Sequence, residues 1–213
     1  MIKTIEHDLI VQENEIYQEN KIKVKSNIYT KLMNIYSQAM EEVKKEIDDM
    51  NKEYNLVDHV KTRIKSPKSI VKKMRDKNYE LTYQNMIDNI NDIAGVRIIA
   101  KTIDDVYKIK NIIEKNFNVT IIKEKDYIKK PKKSGYTSLH IITEVPIKID
   151  ENMVFVKVEI QIRTIAMDLW ANLEHEIKYK PEGKISKLSS IKLIKYAKLL
   201  NKIEKEMTEM YSR

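Results

Sequence analysis

Val156-Lys157-Val158-Glu159-Ile160-Gln161-Ile162-Arg163 alternates apolar and polar side chains without a break. Period two is the mark of a strand with one face buried. Val156, Val158, Ile160 and Ile162 therefore point into a core, and Lys157, Glu159, Gln161 and Arg163 point away from it. At about 3.4 Å per residue, Glu159, Gln161 and Arg163 fall within about 14 Å of one another. The strand spans Met153 to Arg163 and runs straight into a helical stretch ending near Lys178. The polar row thus ends at a strand terminus, where sites in α/β sheets tend to lie.

Working upstream, Tyr136 to Val145 reads as a second strand, joined to the first by a turn region from Pro146 to Asn152. Val119 to Lys123 and Ile93 to Ala100 are two more, with a helix between them over Asp104 to Asn116. Ser66-Pro67 is a helix start, Ser as N-cap and Pro in the first turn, and that helix runs to about Lys77 with Ile70 and Met74 inward. From Ile28 to Tyr54 the residues Leu32, Ile35, Ala39, Val43, Met50 and Tyr54 recur at helical spacing, which predicts one long amphipathic helix. Downstream of Pro181-Glu182-Gly183, a last helix over about 186–211 carries Leu193, Ala197, Leu200, Ile203, Met207 and Tyr211 on one stripe. The fold class expected is α+β (mixed α/β), a small sheet flanked by helices from both ends of the chain. Residues 1–27 are an N-terminal extension, and 28–213 form a single domain with its core over about 58–180.

Composition limits the function. The 213 residues are 42% hydrophobic and 34% charged, a globular balance. There is no cysteine, which excludes disulfides and thiolate zinc sites. No apolar run has the length of a signal peptide or a membrane span, so a cytoplasmic protein is expected. The net charge of +8 attracts polyanions, whether nucleic acid or nucleotides. Lysines cluster between Lys123 and Lys133, and basic residues again between Lys61 and Lys77. Glycines number three: Gly95, Gly135 and Gly183. Such thrift predicts a positive φ or a close approach where one does occur.

Four constellations carry chemistry. Glu159, Gln161 and Arg163 are the first. Asp92-Ile93-Ala94-Gly95-Val96-Arg97 puts a carboxylate at the entry of a strand that can neighbour Glu159; two such carboxylates suit one Mg²⁺, completed by water and substrate phosphates. In Arg63-Ile64-Lys65-Ser66-Pro67-Lys68-Ser69-Ile70-Val71-Lys72-Lys73-Met74-Arg75, cations stand where they oppose the helix dipole. That placement makes sense if an anion sits there, with Ser69 and Lys73 one turn apart on one face. Finally Lys132-Lys133-Ser134-Gly135-Tyr136-Thr137-Ser138-Leu139-His140 follows a basic loop; Tyr136, Ser138 and His140 share one strand face, and Tyr136 can stack on a base.

Arg63-x-Lys65-x-x-x-Ser69-Ile70-x-x-Lys73-Met74, Asp92-Ile93-Ala94-Gly95-Val96-Arg97, Lys132-x-Ser134-Gly135-Tyr136-x-Ser138-x-His140 and Glu159-Ile160-Gln161-Ile162-Arg163-Thr164 occur in the order and spacing of RelA/SpoT-type synthetase domains. Asp168-x-Trp170-Ala171-x-x-Glu174-His175 extends the likeness, which covers roughly residues 30–205 and resembles the small stand-alone alarmone synthetases. The resemblance implies a nucleotidyltransferase-like sheet and transfer of pyrophosphate from ATP to the 3′-hydroxyl of GTP or GDP, with AMP leaving. It implies ATP phosphates clamped by Arg63, Lys65, Ser69, Lys73, Arg75 and Arg97. Asp92 and Glu159 would hold Mg²⁺, Glu159 acting also as general base. Tyr136 would stack on guanine, with Lys125, Lys132, His140, Gln161, Asp168 and Glu174 around the acceptor. It further implies a homotetramer and leaves room for an RNA or alarmone regulator. Three positions depart from the family's pattern: Asp76 where a basic residue is usual, so that Arg75 stands in; Lys125 in place of an Arg; and Asp168 in place of an Asn. His7-Asp8 superficially resembles a hydrolase metal dyad but has no helical domain around it. Two other readings stay open at this level: a basic RNA-binding protein with a dead or secondary nucleotide site, and ordinary nucleotidyl transfer releasing pyrophosphate.

Overall fold

A computed structural model describes residues 27–178 and 187–211. The extension, with His7-Asp8, and the Pro181-Glu182-Gly183 break lie outside the described residues. The chain opens with α1 (Asn27–Tyr54), whose Tyr36, Ala39, Met40, Val43, Ile47 and Met50 form a buried stripe. Asn55, at φ 52, ends the helix and donates its backbone N–H to Asn51 O at 2.9 Å. Asn accepts this left-handed geometry better than most residues. The Asn51 side chain then bonds both backbone groups of Val57 and turns the chain into β1.

The remaining elements are β1 (Val57–Ile64), α2 (Pro67–Asp76), α3 (Tyr83–Asn89), β2 (Ala94–Ala100), α4 (Ile103–Asn116), β3 (Thr120–Asp126), β4 (Leu139–Ile149), β5 (Asn152–Thr164), α5 (Ile165–Lys178) and α6 (Lys187–Tyr211). The five strands form one sheet in the order β1-β2-β5-β4-β3. Only β2 and β5 run parallel; the other three pairings are antiparallel. Val158, Ile160 and Ile162 of β5 are fully buried, as are Ile98 of β2 and Ile141 of β4. Helix α1 lies over this face, touching β1, β2, β4 and β5. The α4 residues Val106, Ile109 and Ile113 join the same core. Ser66 caps α2 as the sequence predicts, and Ile70 and Met74 are buried.

Three differences from the sequence reading have physical causes. Strand β1 is polar and half of its residues are exposed, so it carries little apolar alternation; pairing with β2 makes it a strand. Residues Tyr136 to Ser138 are loop, and β4 begins at Leu139. That strand also continues past Pro146, which pairs with Phe155 on β5. On its other side β3 reaches only to Glu144, so the missing proline N–H costs no ladder bond. The tight turn falls at Asp150, at φ 53. The stripe of α6 is used only in part: Leu193 and Ala197 are buried against Trp170 and Ala171, whereas Ile203 and Met207 are 42% and 63% exposed. Among the described residues, no helix is long and apolar enough to cross a membrane.

Candidate active site

Strand register aligns the polar face into rows. Lys61, Arg97, Gln161, His140 and Lys125 are mutual partners across all five strands. Arg63, Gly95, Glu159, Ile142 and Lys123 form the adjacent row. Glu159 sits between two cavities. One, of about 170 Å³, is lined by Lys61, Arg63, Gly95, Arg97, Glu159 and Gln161 among others. The second, of about 110 Å³, is lined by Lys73, Asn89, Asp92, Lys123, Lys125, His140 and Glu159 among others. Asp92 and Glu159, far apart in sequence, thus share one cavity wall.

The two carboxylates are held by different partners. Lys65 Nζ donates to Asp92 Oδ2 at 3.0 Å, and Lys73 Nζ lies 2.9 Å from Oδ1. Burial pushes the Asp92 carboxyl up, but the lysines outweigh it and hold it below its ordinary range. Glu159 Oε2 accepts from Gln161 Nε2 at 2.6 Å, and Oε1 lies 3.2 Å from His140 Nδ1. An ionised carboxylate has no proton to give, so Nδ1 is the donor. Burial and the charge of Asp92 oppose ionisation of Glu159, and His140 and Gln161 prevail, again lowering the pKa.

Tyr136 reaches the site from a loop. Gly135 adopts φ +93, and a Cβ there would lie 2.6 Å from Ala197 Cβ on α6, so glycine is required for both backbone and space. Gly95 has no such constraint; a Cβ would meet Arg63 at ordinary distance, and its position matters as cavity lining. The Tyr136 hydroxyl accepts from Arg163 NH2 at 2.6 Å and shares a 2.7 Å hydrogen bond with His140 Nε2. Tyr127, Tyr136 and His140 pack edge to face, and Lys132 Nζ stands 4.6 Å from both tyrosine rings. Asp126 braces the loop, accepting from the N–H groups of Ile128 and Lys129 and from the Tyr107 hydroxyl.

Of the residues singled out from sequence, Arg63, Arg97, Gln161, Lys73, Asp92, Lys125, His140 and Glu159 line the two cavities. The two cavities do not coincide with the two expected sets: Gln161 shares a wall with Arg63 and Arg97, while Lys73 shares one with Lys125 and His140. Lys65 reaches Asp92 without lining either cavity, Ser69 bonds Ser66, and Arg75 is exposed on α2. Ser138 is buried, donates to the Ile162 carbonyl at 3.3 Å and accepts from Arg163 Nε at 3.4 Å. Asp168 is buried on α5 with its oxygens taken by protein donors, and Glu174 is half-buried two turns on. Lys61, Lys123, Tyr127 and Asn89 are additions, and Arg163, already marked by the strand alternation, joins the site through Tyr136. Lys61 was discernible as the third basic residue at period two with Arg63 and Lys65; Asn89, in a helix without apolar rhythm, gave no signal.

The family model described as "Region found in RelA / SpoT proteins" matches residues 62–184, which include every residue assigned a role above from sequence. The chain belongs to the RelA/SpoT family. It is 40% identical over 179 residues to the GTP pyrophosphokinase YwaC of Bacillus subtilis, covering 81% of this chain and 85% of that one. Its structure resembles small alarmone synthetase 2 of Bacillus subtilis at a TM-score of 0.79 and 36% identity, covering 86% and 98% of the two chains. Small alarmone synthetase 1 of the same organism, solved bound to its product pppGpp, superposes at a TM-score of 0.81 with 30% identity, covering 88% and 98%.

The RelA/SpoT site also fits a hard divalent cation. Lys73 stands 2.9 Å from Asp92 Oδ1 without making a hydrogen bond to it, so this buried oxygen keeps unfilled acceptor capacity. No group of three or more His, Asp or Glu side chains gathers among the described residues. Two ionised carboxylates, with the rest of the shell left to water and phosphate, is the donor set Mg²⁺ prefers.

Proposed function

We propose that this RelA/SpoT-family chain is a GTP pyrophosphokinase that moves the β,γ-pyrophosphoryl group of ATP to the 3′-hydroxyl of GTP or GDP, yielding (p)ppGpp and AMP. The observation that carries it is Glu159 standing between two cation-lined cavities with Asp92 beside it. A transferring phosphoryl group needs charge neutralisation and alignment more than covalent chemistry. Arg63 and Arg97 would receive ATP in the larger cavity, and its phosphates would extend past Glu159 toward Lys73 in the second, with Lys65, Ser69 and Arg75 as the further phosphate ligands that the resemblance implies. Tyr136 would stack on the acceptor base, and Lys125, Lys132, His140 and Gln161 would hold its sugar and phosphates. Mg²⁺, held by Asp92 and Glu159, would supply charge neutralisation at the pyrophosphate. Glu159, kept ionised by His140 and Gln161, takes the proton of the 3′-hydroxyl as the new O–P bond forms and the bond to the AMP oxygen breaks.

The basic segment Lys123–Lys133 flanks the second cavity, which supports a phosphate role over an RNA-binding one. The exposed apolar residues Ile165, Leu169 and Leu173 on α5, with Leu199, Ile203 and Met207 on α6, support a homotetramer, and cytoplasmic residence goes with nucleotide substrates. Chromatography of nucleotides after incubation with ATP, GTP and Mg²⁺ tests the activity: AMP should appear in step with a more phosphorylated guanosine, and Glu159→Gln should abolish both. Pyrophosphate release in place of AMP, or no product with GTP or GDP, would refute it. Sedimentation as a monomer at micromolar concentration would refute the tetramer.

A further inference from the structure

Asp168 carries a burden that substrate contact does not explain. Its Oδ1 accepts from Arg97 NH1 at 3.0 Å and from Arg163 NH1 at 3.1 Å. Its Oδ2 accepts from Lys61 Nζ and Asn172 Nδ2, both at 3.1 Å. Four donors on two oxygens leave little acceptor capacity for a ligand, and the side chain is 6% exposed. Asp168 lines neither cavity. Its two guanidinium partners, however, lead to different places. Arg97 lines the larger cavity beside Arg63 and Gly95. Arg163 is buried, donates to the Tyr136 hydroxyl at 2.6 Å and to Gln161 Oε1 at 2.9 Å, and stands 5.1 Å from the centre of the Tyr136 ring.

We infer that Asp168 is a positioning residue that couples the two nucleotide sites, through the chain Arg97–Asp168–Arg163–Tyr136. The inference rests on the reading that ATP enters beside Arg97 and the guanosine acceptor beside Tyr136. Two cations share one carboxylate oxygen and repel each other. A polyanion arriving at Arg97 draws that guanidinium off Oδ1 and offsets its charge. Arg163 then holds the oxygen alone, and its hydrogen bond to the Tyr136 hydroxyl fixes that ring for stacking. ATP therefore tightens the acceptor, and by linkage the acceptor tightens ATP by the same factor.

Calorimetric titration of GDP into the full chain with Mg²⁺, with and without saturating α,β-methylene ATP, measures this factor, because the bridging carbon cannot be cleaved. The ratio of the two GDP dissociation constants should be about ten in the wild type, toward the low end of ordinary coupling. Asp168→Ala should bring it to about one, and Asp168→Asn, which keeps one acceptor oxygen, should restore part of it. Tyr136→Phe keeps the ring and removes the link, so it should also approach one; it decides the matter if Asp168→Ala does not fold. A wild-type ratio of one, or a ratio unchanged in Tyr136→Phe or in folded Asp168→Ala, overturns the inference while individual binding of both nucleotides leaves the proposed function standing. If neither nucleotide binds the wild type alone, the proposed function fails, and the coupling with it.

Discussion

Glu159 and Tyr136 meet the same imidazole, yet they are held in unlike ways. Glu159 is carried by a central strand, and its row is defined by backbone pairing on both sides. Tyr136 is carried by a loop whose path depends on Gly135 at φ +93 lying against Ala197 of α6. Backbone pairing places a side chain without asking what that side chain is. A loop has no such frame, so its position is a sum of particular contacts, including those of Asp126 below it and Lys132 between two rings. The strand-borne group should therefore tolerate substitution structurally while chemistry is lost. The loop-borne group should lose position and function together.

The sharpest test is Glu159→Gln, which should lower kcat by about 10³-fold, within the range for losing a general base. Its melting temperature should fall only slightly: backbone pairing holds the row, although the favourable contacts of His140 and Gln161, which outweigh the repulsion from Asp92, are weakened. A large drop in thermal stability would mean that pairing does not hold this row independently. Next comes Gly135→Ala, which forces a positive φ on a side chain and drives a Cβ into Ala197. It should destabilise by about 1–3 kcal/mol and raise KM for the guanosine acceptor, with KM for ATP little changed. Equal loss on both substrates would break the distinction between strand and loop. Tyr136→Ala, read in steady-state kinetics, should raise acceptor KM by about tenfold or more, the value of one base–aromatic stack.

The smallest effect concerns pH. Burial pushes the Asp168 carboxyl up, but Lys61, Arg97 and Arg163 outweigh it and hold the pKa below the ordinary value. A depressed folded pKa adds stability that is complete above the unfolded value, about 3.9, and is lost as pH falls through the folded one. Thermal melts of the wild type should therefore decline below about pH 4, and Asp168→Asn should flatten part of that decline. An unchanged acid limb would mean that the four donors around Asp168 do not favour its ionised form.

Much of this molecule was legible in order along the chain. The alternation over 156–163 gave the core strand and named Glu159, Gln161 and Arg163 as its polar face, and the cap at Ser66-Pro67 started α2 where the structure has it. Basic residues set against the α2 dipole pointed to an anion site; in the structure Lys65 and Lys73 converge on the protein's own half-buried Asp92 carboxylate. Strand β1 escaped notice because an edge strand with one solvated face needs little apolar alternation. The network around Asp168 escaped because its members come from β1, β2, β5 and α5, and no sequence spacing relates them.

The sequence by itself determined which side chains are polar or apolar along each element and which chemistry the conspicuous ones can do, because period and composition act over a few neighbouring residues. Only the tertiary structure decided that β2 lies parallel beside β5, that Lys73 and His140 line one cavity, and that α6 presses on Gly135. Those choices come from how the faces of whole elements bury against one another, a many-body matter of shape and register that no local pattern encodes.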